Sequence, residues 1–86
     1  MKVVILDGST APTKEALHQH LAQELAFPDW YGGNLDALFD CLTVVSEEVT
    51  ITLDEAALTE ALRPYAQRVA KVLARAAEKN PKIHLQ

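Results

Sequence analysis

The chain contains one cysteine, Cys41, three glycines, and no lysine or arginine anywhere between Lys14 and Arg63. A single cysteine excludes an internal disulfide and fits a reducing compartment, and no Cys or His spacing suits a structural zinc site. No apolar run approaches the roughly 18 residues of a membrane-spanning helix. The early run Val3-Val4-Ile5-Leu6 is closed at once by Asp7-Gly8, well short of the roughly 7 to 15 apolar residues of an export signal. The expected location is therefore the cytoplasm, with no membrane partner. Gly32-Gly33 lacks the strand-before, helix-after pattern of a dinucleotide or Walker loop, which argues against a phosphate cradle. The stretch without lysine or arginine carries Glu15, Glu24, Asp29, Asp36, Asp40, Glu47, Glu48, Asp54, Glu55 and Glu60 and should repel phosphates. Basic residues gather instead at Arg63, Arg68, Lys71, Arg75, Lys79 and Lys82, too narrow a set to make nucleic acid the expected partner.

What is present describes one small globular domain spanning residues 1–86: 9.5 kDa, 49% hydrophobic, 23% charged, with a net charge of −4. A chain this short buries only about 60% of its unfolded surface, so most apolar side chains are committed to the core. That leaves little material for a deep substrate pocket.

The apolar run 2–6 predicts a strand buried on both faces. Thr13 can cap a helix whose Leu17, Leu21 and Leu25 form one stripe, with Lys14, His18, Gln19 and Gln23 facing elsewhere, ending near Phe27-Pro28. Residues 29–33 read as a loop with two large aromatics. Asn34 suits the N-cap of a second helix running to about Thr43, with Asp36 placed well for the helix dipole. Val49 to Leu53 predicts a strand, Asp54 a cap for a third helix over 55–62, and Pro64 the first residue of a fourth helix. Asn80-Pro81 stops that helix before a last strand over 82–85. The order β-α-α-β-α-α-β predicts an α/β fold in which a three-stranded parallel sheet packs with about four helices.

Chemistry-bearing residues concentrate between Asp29 and Thr43. At about 100° per residue, Leu35, Leu38 and Leu42 share one side of the second helix, while Asp36, Asp40 and Thr43 share another with Phe39 at the border. Asp36 and Asp40 are i, i+4 like charges with no basic neighbour to offset them, so they cost the helix a little stability. A solvated acidic face is the plain reading. The adjoining aromatic loop favours a protein interface, since Trp, Tyr and Phe are enriched at interface cores. Catalysis by the two aspartates is disfavoured because an exposed pair has little desolvation to separate its pKa values, and a metal lacks further ligands. Neither catalytic, cofactor-binding nor metal-binding residues are expected. His18 and His20, at i and i+2, point to opposite sides and read as surface histidines; Cys41 reads as a packed residue.

Beyond these physical readings, Leu17-His18-Gln19, Glu24-Leu25-Ala26-Phe27-Pro28, and above all Tyr31-Gly32, Asn34-Leu35-Asp36-Ala37-Leu38 and Asp40-Cys41-Leu42-Thr43 resemble the barstar family of intracellular ribonuclease inhibitors. The resemblance implies three parallel strands with helices, and an inhibitor or immunity protein whose second helix and preceding loop plug a nuclease active site. Trp30 stands where the family has a contact tyrosine and Phe39 where it has a tryptophan. Asn34, Leu35, Asp36, Asp40 and Thr43 are identical to family contacts. The implied partner is a ribonuclease, barnase-like or toxin nuclease, met by a monomer through residues around 30–44; Asp36 and Asp40 would occupy phosphate positions in its cationic site. Val44-Val45 replace a glycine and a tryptophan, Pro81 replaces a second cysteine, and Arg75 falls where the family has an acidic contact. That reversal of sign implies a different partner on that flank or a lost rim contact. The alternative function is an adaptor or regulatory module reusing the same fold, because fold alone does not determine function.

Overall fold

The computed structural model describes residues 2–86. Strand β1 (Lys2–Leu6) leads through helices α1 (Lys14–Leu25) and α2 (Leu35–Thr43) to strand β2 (Val49–Leu53). A 3₁₀ turn (Glu55–Ala57) and helix α3 (Arg63–Lys79) then lead to strand β3 (Ile83–Leu85). The sheet runs β1-β2-β3 and is parallel throughout, with Lys2 opposite Val49, Leu6 opposite Leu53 and Val49 opposite Ile83. Parallel neighbours need long crossovers, and the helices supply them. Val4, Leu6, Val49, Ile51 and Ile83 from the sheet meet Leu17, Leu21, Leu38, Leu42, Val69 and Leu73 from the three helices in one core.

Local signals placed most element boundaries. Thr13 accepts the Ala16 N–H through its hydroxyl at 3.0 Å, capping α1, and Asn34 accepts the Ala37 N–H at 2.8 Å, capping α2. Pro64 sits one residue inside α3, which starts at Arg63, where its missing N–H leaves no intrahelical bond unmade. β3 begins at Ile83, with Lys82 held just outside by the Asn80 side-chain carbonyl.

Two expectations fail, each for a physical reason, and a third holds by a different cause. The third helix over 55–62 is absent: only Glu55–Ala57 form a 3₁₀ turn, Asp54 makes no side-chain cap bond, and Leu58 is extended (φ −84°, ψ 155°). Eight residues gain little against the cost of helix nucleation on their own, and with Leu58 extended both Leu58 and Leu62 are buried in the core. The turn also closes on Gly8, where a Cβ would come within 2.5 Å of the Ala57 carbonyl oxygen. Second, β1 is not buried on both faces. Val4 and Leu6 are fully buried, but Val3 is 54% and Ile5 46% exposed, because successive side chains alternate between the two faces of the sheet and the helical core packs against the face of Val4 and Leu6. A continuous apolar run does not encode that difference. Third, α1 ends at Leu25, near Phe27-Pro28 as expected, but not by the action of the proline. Ala26 takes a left-handed conformation (φ 54°), and the Phe27 N–H bonds the Ala22 carbonyl at 3.0 Å, a Schellman-type end that precedes any effect of Pro28. Among the described residues no helix is long and apolar enough to cross a membrane.

Candidate partner-binding face

α2 divides its residues cleanly. Leu38, Cys41 and Leu42 are buried, Leu35, Phe39 and Thr43 are half-buried, and Asp36 and Asp40 are exposed. Neither aspartate forms an ion pair among the described residues. Thr43 returns its hydroxyl to the Asp40 carbonyl at 2.8 Å and so finishes the last turn. The Asn34 side-chain carbonyl is already engaged in capping, and Leu35 packs against the core. Both therefore shape the face from behind as well as bordering it. Gly33, at φ +70°, supplies the turn into the cap that a side chain would strain.

The loop ahead of α2 leaves Trp30 66% exposed beside Tyr31, which is turned inward. Tyr31 packs edge-on against Phe27 (centroids 4.9 Å apart), and its hydroxyl bonds His18 Nδ1; His18 Nε2 meets the Tyr65 hydroxyl at 2.6 Å. A neutral imidazole has one donor and one acceptor, so it can satisfy both hydroxyls at once. This overturns the surface reading of His18, which is 3% exposed. Burial, with help from nearby Lys14, holds its pKa below the ordinary histidine value, and burial raises the phenol pKa of Tyr31 above its usual range. The signal was available: His18 projects only about 20° from Leu25 at the edge of the α1 stripe. With both nitrogens engaged, His18 cannot ligate a metal alongside His20, and no cluster of three potential ligands exists among the described residues.

α3 supports α2 along its length. Buried Asn80 donates its side-chain N–H groups to the Leu42 and Val45 carbonyls, both at 2.9 Å, satisfying backbone groups at the α2 C-terminus. Read from the chain alone, Asn80 was only a stop signal. Arg75 places its guanidinium 5.3 Å from the Phe39 ring centroid, bringing it to the border of the acidic face. Cys41 is buried, as the packed reading expected; desolvation first and the Asp40 charge second push its thiol pKa up, so it is no activated nucleophile. Trp30, Asp36, Phe39, Asp40 and Thr43 thus lie on one loop–helix unit, with Asn34 and Leu35 at its turn.

This exposed loop–helix unit is carried by a small α/β scaffold with a three-stranded parallel sheet. Residues 1–86 match the family model described as Barstar (barnase inhibitor), and the chain belongs to the barstar family. It is also 41% identical over 80 residues to a Bacillus subtilis (strain 168) protein named "Putative ribonuclease inhibitor YrdF", covering 91% of this chain and 88% of that protein. The family is one of inhibitors, and its members are not enzymes.

Proposed function

We propose that the chain inhibits a ribonuclease by covering its RNA-binding cleft with the exposed face of α2 and the loop before it. Supporting this are its family membership and, on the molecule itself, the exposed Asp36 and Asp40, unpaired among the described residues and bordered by Phe39 and Trp30. A ribonuclease cleft is cationic because it binds phosphates. Two carboxylates one helical turn apart can take up charge-assisted hydrogen bonds there, and aromatic neighbours can exclude water around them. Inhibition then needs no chemistry from the inhibitor, only occupation of the cleft.

The test is titration of the protein against barnase, the nuclease in the family description, and against any secreted nuclease encoded beside this gene, with RNA hydrolysis as readout. Stoichiometric loss of hydrolysis, abolished in Asp36→Ala/Asp40→Ala with an unchanged circular dichroism spectrum, is the expected result. No inhibition of either nuclease, or inhibition indifferent to both aspartates, refutes the reading.

A further inference from the structure

The acidic face of α2 has a neighbour of opposite sign. Arg68, Lys71, Arg75 and Lys79 are all exposed on α3, and a helical projection gathers them into a stripe about 80° wide, with exposed Glu78, the one acid of α3, at its edge about 20° beyond Lys71. None of the four forms an ion pair among the described residues. The stripe is fastened to the acidic face at one point: Arg75 lies against Phe39, which sits on α2 between Asp36 and Asp40. Two other contacts show how the helices run. Asn80 meets Leu42 and Val45 farther along both helices, and Tyr65 joins the loop before α2 through His18. α2 and α3 therefore lie side by side and advance together, so acidic and basic halves adjoin over roughly the length of α2.

We infer that the basic stripe of α3 is a specificity element, selecting a nuclease whose cationic cleft is bordered by an acidic rim and rejecting one whose positive surface continues past the cleft. This rests on the inhibitor reading above and assigns the flank of the same face. A uniformly cationic partner would gain at Asp36 and Asp40 and meet like charge at Lys71 and Arg75, whose juxtaposition is costly in a desolvated interface. A partner with an acidic rim gains on both halves. Stacking on Phe39 also limits the freedom of Arg75 to swing away from an unfavourable neighbour.

The experiment uses two microbial ribonucleases as probes, one with net positive and one with net negative charge outside the cleft. It compares dissociation rates for the native protein, Lys71→Glu/Arg75→Glu and Asp40→Ala, all checked by circular dichroism. Dissociation is chosen because long-range steering acts on association. The native protein should leave the acidic-rimmed nuclease at least about tenfold more slowly than the basic one, and charge reversal on α3 should invert that order. Asp40→Ala should speed dissociation from both. An order unchanged by the reversal, while Asp40→Ala still weakens both complexes, overturns the specificity inference and leaves the inhibitor reading standing. Indifference of both complexes to Asp40→Ala, or no binding to either probe, overturns the reading and the inference together. Salt-dependent binding of single-stranded RNA by the free protein, lost on reversal without any change in nuclease preference, assigns the stripe to RNA and overturns the inference alone.

Discussion

His18 shows how much one buried polar residue can organise. Its two nitrogens hold Tyr31 of the candidate loop and Tyr65 of α3, so three elements converge on one imidazole. Protonation turns the ring into a donor on both sides and removes its acceptor role. Because the folded-state pKa is lowered from 6.5 while the unfolded chain keeps the ordinary value, the unfolded state binds more protons below neutrality. The stability contributed by neutral His18 is therefore complete above the unfolded value and is lost as pH falls through 6.5 toward the depressed folded value. Asp7, held low first by the Ser9 hydroxyl and then by the Thr10 backbone, and Glu48, held low chiefly by its His84 hydrogen bond, stay ionised until more acidic pH. Urea midpoints measured between about pH 7.5 and 5 should fall for the native protein and fall less for His18→Gln. Equal slopes for the two would remove His18 from the account. Ala26 offers a simpler check at the same scale. It is exposed and left-handed, so Ala26→Gly relieves backbone strain without removing packing. After the entropy cost of glycine, a gain of about 0.5–1 kcal/mol is expected as a raised urea midpoint; a lowered midpoint would show that no strain is stored there.

At the scale of elements, α2 is defined at both ends by asparagines, and the two differ in how visible they are in the chain. Asn34 is a sequence-local cap, legible from its position before Leu35-Asp36, as Thr13 is before α1. Asn80 acts 35 to 38 residues away on Val45 and Leu42, and no local pattern announces such a partner. The same contrast runs through the fold. The three strands, the parallel order and the helical faces of α2 and α3 follow from periodicity, capping and crossover length. The lost third helix, the exposed outer side of β1 and the burial of His18 depend on which elements end up adjacent, which is tertiary information. The candidate face was legible because Asp36, Phe39 and Asp40 lie within one helix; the approach of Arg75 was not, because it depends on the packing of α2 against α3. Asn80→Ala leaves two backbone carbonyls without their buried donors and should destabilise the fold by about 2 kcal/mol, measured by urea denaturation. Asn34→Ala should cost about 1 kcal/mol, since water can reach the N-terminus of α2. An Asn34→Ala loss exceeding that of Asn80→Ala would reverse this ranking of the two ends.

Across the whole molecule, charge is sorted by chain position and then by space. The stretch between Lys14 and Arg63 has no lysine or arginine, and packing places its exposed Asp36 and Asp40 beside the basic stripe of α3, within a body about 32 × 27 × 20 Å. A partner approaching from afar feels the net charge of −4 together with this acidic–basic gradient. On contact, the proposed interface should depend on Asp40 more than on the rest. Asp40 lies a full turn beyond Asp36, away from the capped end of α2, with half-buried Phe39 and Thr43 beside it to shut out water. The two influences should separate kinetically. Raising the salt from about 0.01 M to 1 M shortens the screening length from about 30 Å to about 3 Å, so association should slow by about tenfold or more while dissociation changes little. Asp40→Ala should do the opposite: association alters modestly, and dissociation accelerates by a factor equivalent to about 2–5 kcal/mol, because the cation opposite is left buried and unpaired. Arg75→Ala, which removes one flank charge without introducing a like-charge clash, should change dissociation much less than Asp40→Ala. Stopped-flow association and competition-chase dissociation against an inhibited ribonuclease measure both rates. Association indifferent to salt would rule out steering by this charge distribution, and an Arg75→Ala effect larger than that of Asp40→Ala would move the centre of the interface from α2 to α3.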